Sequence, residues 1–245
     1  MSNPRFYTPE NLEPGIFSTL PSSASIHASR ALRLTAGDQV TLFNGDGYDY
    51  RCELTTVSKS QVIAQVMLKT SVANESTLNI TLLQAISSGD RMDFTIQKAV
   101  ELGVNKIQPI NSQRSVIKLS GERAEKRKEH WQKIVISACE QSGRAVIPQV
   151  NDATTLTNWL RSNPTQSNIT RITLSPTAIQ ILQDLPKPTG EICLLIGAEG
   201  GLTSDEINLA STQGFRSALL GKRILRTETA ALAAIAAMQV IWGDF

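Results

Sequence analysis

Two stretches in the last quarter of the 245-residue chain hold residue types that could do chemistry. The first is LLIGAEGGLTSDEI, Leu194 to Ile207, where an apolar run ends in a glycine cluster and a polar helix start follows at once. The second is LGKRILRTETA, Leu220 to Ala230, where a glycine precedes basic residues, threonines and a glutamate. Glycines let a backbone approach a ligand closely. The spacing fits neither common nucleotide loop: the dinucleotide fingerprint needs glycines at its first, third and sixth places, and the P-loop needs a trailing Gly-Lys-Ser/Thr. Glu199 lies inside the first loop, and a carboxylate there repels phosphate. A ligand with hydroxyls or positive charge suits it better. The plain alternatives are a tight strand-to-helix turn that holds nothing and, for Arg226, Thr227 and Glu228, ordinary helix capping.

These loops need elements to hold them. Thr203 and Glu206 have the S/T-x-x-E spacing of a capping box, which predicts a helix from Thr203 to near Gly214. EICLLIG before the glycines reads as a buried strand, and ALLG, Ala218 to Gly221, as a short one. The two are expected to end side by side and open a crevice. The alanines from Ala230 to Ala237 predict a final helix that another backbone can approach closely. Upstream, LNITLLQAI reads as a strand and DRMDFTIQKAVELG as a helix closed by Gly103. KIQPI is a strand, GERAEKRKEHWQKIVISACEQSG a long helix, ITRITL a strand and TAIQILQDL a helix. Such alternation implies a mostly parallel sheet covered by helices, with ligands at the carboxyl edge of the strands.

The N-terminal part reads differently. QVTLF, the turn Asn44 to Gly47, YDYRCELTTV, a second turn SKS and QVIAQVML form an antiparallel meander, with Tyr48, Tyr50, Cys52 and Leu54 on one face. The polar stretch Lys69 to Thr77 is the expected linker. The expected division is a small β-barrel over 1–72 and an α/β domain over 73–245.

Composition is that of a soluble globular protein, 41% hydrophobic and 19% charged, with a net charge of +2 that does not by itself imply nucleic acid. The three cysteines are far apart and form no CxxC pair, which suits a reducing, cytoplasmic setting. The two histidines, His27 and His130, have no HExxH spacing, and no metal site is expected. MSNPRFYTPE lacks the order of a signal peptide, and the apolar stretch Ala230 to Trp242 is too short to span a bilayer.

At the two glycine segments the chain resembles the RsmE family of 16S rRNA uridine-N3 methyltransferases, in the SPOUT superfamily. The resemblance covers nearly the whole chain and is supported by SGDRMDFTIQKAVELGV (Ser88 to Val104), QSGR (Gln141 to Arg144) and HASRALRL (His27 to Leu34). Ala198 departs from the family pattern, which has proline there. The resemblance implies an α/β fold whose C-terminal methyltransferase domain is a deep trefoil knot, behind a PUA-like RNA-binding β-barrel. It implies S-adenosylmethionine as cofactor, 16S rRNA in the 30S subunit as partner, a homodimer, and methylation of a uridine in the decoding region. The site residues it implies for the cofactor are Leu174, Gly197, Glu199, Gly201, Leu220, Gly221, Ile224, Leu225 and Thr229. Glu199 then either binds a ribose hydroxyl or orients the loop. Arg226 would stabilise the uracil anion, and Glu228 or a water would take its proton. Arg5, His27, Arg30, Arg33, Arg91, Lys98, Arg114 and Arg144 are the candidate RNA contacts, with Arg30 and Arg33 on one helix face. The interleaved run ERAEKRKEH reads as a solvated helix face. A SPOUT enzyme for another rRNA or tRNA nucleotide and a non-catalytic assembly factor are the rival readings; a Rossmann-type enzyme would carry its glycines after the domain's first strand.

Overall fold

The computed structural model describes residues 3–58 and 61–245. The chain divides into two compact units, Met1–Glu75 with Ile136–Ile147, and Ser76–Val135 with Pro148–Phe245.

The first unit is built on β1 (Arg5–Tyr7), β2 (Phe17–Thr19), α1 (Ser22–Ile26), β3 (Gln39–Phe43), β4 (Tyr48–Val57) and β5 (Val62–Ser71). They form one curled sheet in the order β1-β3-β4-β5-β2, antiparallel except for β1 beside β3. Alternation along β4 buries Tyr50, Cys52 and Leu54, while Tyr48 at the strand's start is exposed. These side chains join Phe6, Leu42, Val62 and Val66 in a single core. Two register shifts between β4 and β5 sharpen the twist and curl the sheet. The meander is the one the alternation predicts. Of the expected turn SKS, Lys59 and Ser60 lie outside the described residues. The expected linker starts too early: Lys69, Thr70 and Ser71 pair with Tyr50, Asp49 and Tyr48 as the end of β5. Their polarity reflects a strand end facing water, not the absence of a strand. Nor do Arg30 and Arg33 share a helix face. A π-helical turn His27–Ala31 follows α1, and Arg33 sits beyond it at φ 54°, in left-handed backbone that ends the helix.

The second unit contains β6 (Ile80–Ala85), α2 (Gly89–Glu101), β7 (Lys106–Ile110), the start of α3 (Gly121–Ser142), β8 (Gln149–Val150), α4 (Leu156–Ser162), β9 (Ile169–Leu174), β10 (Glu191–Ile196), α5 (Ser204–Thr212), β11 (Phe215–Ala218) and α6 (Thr227–Trp242). All six strands are parallel, in the order β11-β9-β10-β6-β7-β8. β6 is buried along its whole length and β10 nearly so, as central strands of a parallel sheet must be. α2 ends as expected, with Gly103 at φ 88° just past it.

Three expectations for this unit need correction. TAIQILQDL is not a helix; only a single 3-10 turn, Leu182–Asp184, forms there. Its backbone instead bonds to the chain after β11, with Leu219 N donating to Gln180 O and Leu182 N to Leu219 O. Tertiary pairing overrides the helical spacing of its apolar residues. The last strand is Phe215–Ala218 rather than ALLG, so Leu219 to Gly221 already belong to the loop. And the strands ending at Gly197 and near Gly221 are not adjacent: β9 lies between β10 and β11. The crevice is therefore spanned by three strand ends, with Leu174 at the middle one.

Candidate active site

A cavity of about 490 Å³ opens at the carboxyl ends of β9, β10 and β11. Its walls are the chain after β9 (Leu174 to Thr177), the glycine loop (Ile196 to Leu202) and the segment after β11 (Leu219 to Leu225), closed by Thr227 and Ala230 of α6. Apolar side chains at Leu174, Ile196, Leu220, Ile224 and Leu225 alternate with backbone polar groups. Glu199 is the one carboxylate on the wall; Arg114 and Arg223 are its cations. Size and lining match a site for a small organic ligand of some tens of atoms.

The glycine loop has its shape for local reasons. Gly201 turns at φ 72° and its N–H donates to the Ala198 carbonyl at 2.8 Å. A Cβ on Gly197 would come within 2.8 Å of Gly201 C and Leu202 N, so only glycine allows the loop to fold back on itself. Thr203 then caps α5 in a full capping box, its hydroxyl accepting from Glu206 N at 3.2 Å while Glu206 Oε2 accepts from Thr203 N at 2.9 Å.

Glu199 orients this loop. Its Oε1 accepts from Ser88 N and Ser88 Oγ, each at 2.9 Å, and from the Arg91 guanidinium at 3.2 Å. Burial alone would raise its pKa, but the bonds from the Ser88 and its own backbone N–H groups, the Ser88 hydroxyl and Arg91 hold it below the ordinary glutamate value. Of the two open readings of Glu199, loop orientation is the one with bonded partners. Arg114 grips the other side, donating to the carbonyls of Gly200 at 2.8 Å and Leu202 at 3.3 Å.

At the start of α6, Thr227 is buried; its hydroxyl donates to Gly197 O at 2.5 Å and accepts from Gln84 Nε2 at 2.9 Å. Arg226 is the exposed N-cap residue, between two residues that line the cavity. Glu228 is half-buried, and its Oε2 has no hydrogen-bond partner among the described residues. Of the nine residues implied for the cofactor, eight line the cavity; Thr229, like Arg226 and Glu228, does not.

The candidate RNA contacts separate. His27, Arg30 and Arg33 are exposed on the first unit. Arg5 is bonded to Asp49 and to the Arg144 carbonyl, and stacks over Phe43 at 4.8 Å. Arg144 is 3% exposed and bonded twice to Glu75 Oε2, at 2.6 and 3.0 Å. Its guanidinium holds a fold together and has no open face for phosphate. Arg91 and Arg114 hold the glycine loop, and Lys98 pairs with Glu101 at 2.7 Å. Among the described residues no cluster of three or more His, Cys, Asp or Glu could hold a metal ion, and no helix is long and apolar enough to cross a membrane.

An RNA methyltransferase domain model matches residues 74–239, which covers both glycine segments and every wall of the cavity. The chain belongs to the RNA methyltransferase family. A second model, an RNA methyltransferase PUA domain, matches residues 25–67 of the curled sheet. Within the family, the ribosomal RNA small subunit methyltransferase E of Buchnera aphidicola (subsp. Schizaphis graminum) is 38% identical over 98% of this chain and 97% of its own. Its counterpart in Bacillus subtilis is 32% identical over 86% and 85%. The crystal structure of the Neisseria gonorrhoeae enzyme of that name, bound to S-adenosyl methionine, is 47% identical, covers all of both chains and superimposes with a TM-score of 0.93.

Thr227 lines the cavity and Gln84 bonds to it, yet neither is among the site residues implied by the sequence. Gln84 looks like one polar residue inside a buried strand, and Thr227 reads as a capping residue of α6. The signal for Gln84 is its setting: a lone amide between Leu83 and Ala85 in a strand buried throughout. A buried polar group needs a partner, and that partner is Thr227.

Proposed function

We propose that the protein transfers the methyl group of S-adenosylmethionine to N3 of a uridine in the decoding region of 16S rRNA, acting on the 30S subunit as a homodimer whose C-terminal domain is knotted. The observation that carries this reading is the cavity at the ends of β9, β10 and β11, lined by eight of the nine residues expected to hold that cofactor. A relative 47% identical over its full length is described as bound to the same molecule. The lining fits it: apolar walls for an adenine, backbone donors and acceptors for its edges, and a carboxylate loop compatible with a cation.

Bound there, the cofactor supplies an activated methyl on a sulfonium. What remains for the chain is alignment and the proton. Uridine N3 carries a proton and is a weak nucleophile until it leaves. In this reading the Arg226 guanidinium faces the uracil carbonyls and stabilises the negative charge that develops as N3 deprotonates. The Glu228 carboxylate, or a water, accepts the N3 proton. His27, Arg30 and Arg33 neutralise RNA phosphates from the first unit. A paired target uridine would have to leave its stack, so an extruded or single-stranded base is the substrate form.

The test is transfer of labelled methyl to 30S subunits lacking the modification, followed by nucleoside analysis. Labelled 3-methyluridine is expected. Label in another nucleoside, in tRNA alone, or cofactor binding without transfer to the subunit would replace the substrate; neither transfer nor cofactor binding would favour the assembly-factor reading.

A further inference from the structure

Gln84 is fully buried in β6, where every side chain is buried. Its amide nitrogen donates to the Ala85 carbonyl at 3.0 Å and to the Thr227 hydroxyl at 2.9 Å. Thr227 passes the contact on, donating to the Gly197 carbonyl at 2.5 Å. Chemistry fixes the direction of this relay. A carbonyl only accepts, so the single hydroxyl proton of Thr227 goes to Gly197, and the hydroxyl must then face a donor. The Ala85 carbonyl demands a donor as well. Gln84 therefore turns its nitrogen to both, and its Oε1 is left without a partner among the described residues.

That arrangement is costly for the fold. A buried acceptor left unsatisfied is destabilising, and the amide keeps one, its own Oε1, for the one it satisfies at the Ala85 carbonyl, so it brings no net gain there. Leu82 and Leu83 fill neighbouring positions of the same strand without an amide. Stability alone does not account for an amide here. What the amide does is tie β6 to the first residue of α6 and, through the Thr227 hydroxyl, to Gly197 of the loop after β10, the last two of which line the cavity. Thr227 directly follows Arg226, and it is the only residue between Arg226 and Glu228.

We propose that Gln84 is a positioning residue for methyl transfer, acting through Thr227 to fix where Arg226 leaves the start of α6. The inference rests on the reading of Arg226 given above. Gln84 touches neither cofactor nor base, and its influence passes entirely through the Thr227 hydroxyl. Removing the amide leaves Thr227 free to turn away from Gly197, and the α6 start then samples more than one place.

The experiment compares the parent, Gln84→Leu, Arg226→Ala and the double variant as full-length protein. It reads single-turnover methyl transfer to 30S subunits, cofactor affinity by calorimetry, and melting temperature. Gln84→Leu should melt within a few degrees of the parent, because it removes one orphaned acceptor, its own Oε1, while it takes the donor from another, the Ala85 carbonyl. It should keep its cofactor affinity and lose turnover by up to about a hundredfold, the scale of a small misplacement of a reacting group. In the Arg226→Ala background the same change should cost nothing further, since residues acting as one unit are not additive. Gln84→Met, unbranched and similar in length, is the second variant should leucine not fold, with the same expectations. Full turnover in the folded Gln84 variant, an equal loss in both backgrounds, or a loss that only tracks a lower melting temperature overturns the proposal. Undiminished turnover in Arg226→Ala would instead overturn the reading of Arg226 on which it rests.

Discussion

Glu199, in the loop after β10, and Ser88, the N-cap of α2, are 111 positions apart in sequence, yet two hydrogen bonds of 2.9 Å join them. Both bonds end on the same carboxylate oxygen, which Arg91 also reaches at 3.2 Å. The glycine loop, held by Arg114 at Gly200 and Leu202, is thereby also tied to the helix start that follows β6. The carboxylate thus shapes the cavity whether or not it also touches a ligand.

Glu199→Ala should therefore loosen the loop rather than unfold the protein. Bonds to a charged group are worth about 1.5–3 kcal/mol each when buried, and partial exposure here reduces that. The expected result is a cofactor affinity about tenfold weaker, with a melting temperature near that of the parent, as one lost charged bond of about 1.4 kcal/mol predicts. Calorimetric titration of both proteins checks it. The same carboxylate sets a pH dependence. Its pKa lies below the ordinary value in the folded state, so its contribution is complete above the unfolded glutamate pKa of about 4.3 and fades as pH falls through the lower folded value. Cofactor affinity should be flat from neutral pH down to that region and weaken below it. Weakening already near neutral pH would contradict the assignment.

Gly197→Ala should be more damaging to binding. The new Cβ would press on Gly201 C and Leu202 N at 2.8 Å, both backbone atoms that cannot swing aside. Overpacking of this kind costs about 1–3 kcal/mol. The loop would open to relieve it, and cofactor binding should fall below detection while circular dichroism stays unchanged. Normal binding would mean the loop tolerates another conformation.

Arg144 and Glu75 give a prediction about the first unit. Breaking a buried ion pair costs about 3–5 kcal/mol because the remaining charge stays buried. Arg144→Ala and Glu75→Gln should both lower the melting temperature, by roughly 2–4 °C per kcal/mol for a chain of this size. An RNA contact would behave differently: only the arginine change would matter, and it would weaken RNA binding without moving the melting point.

Exposed Arg30 and Arg33 should show the opposite pattern. Replacing either with alanine should leave stability unchanged, weaken binding to the subunit and reduce the salt-dependence slope by about one per lost phosphate contact. Binding measured across a salt series checks this. A slope equal to the parent's would remove both from the interface.

Much of this is legible in the sequence because its elements are periodic. Alternation through Tyr50, Cys52 and Leu54 marks β4, and Thr203 with Glu206 marks the start of α5. The errors have a common cause, which is bonding to distant segments. TAIQILQDL has helical spacing, but its backbone groups find partners at Leu219. Arg144 sits among recognisable family residues, yet nothing local announces that Glu75 will bury it. β1 and β2 have three residues each, too few for any period to show. The glycine segments announce a site, and the order of strands does not follow from them. That β9 stands between β10 and β11 is decided by long-range pairing, and it brings Leu174, at the end of β9, into the cavity wall.

In the proposed reaction the cavity holds the methyl donor while Arg226, just outside its lining, acts on the target base. The most direct measurement is turnover and cofactor affinity for Arg226→Ala beside the parent. Loss of one preorganised charge-stabilising group should cut turnover by about 10²–10³. Cofactor affinity should stay at the parent value. Equal losses in turnover and affinity would show that Arg226 serves the cofactor cavity rather than the uracil, and would contradict the account.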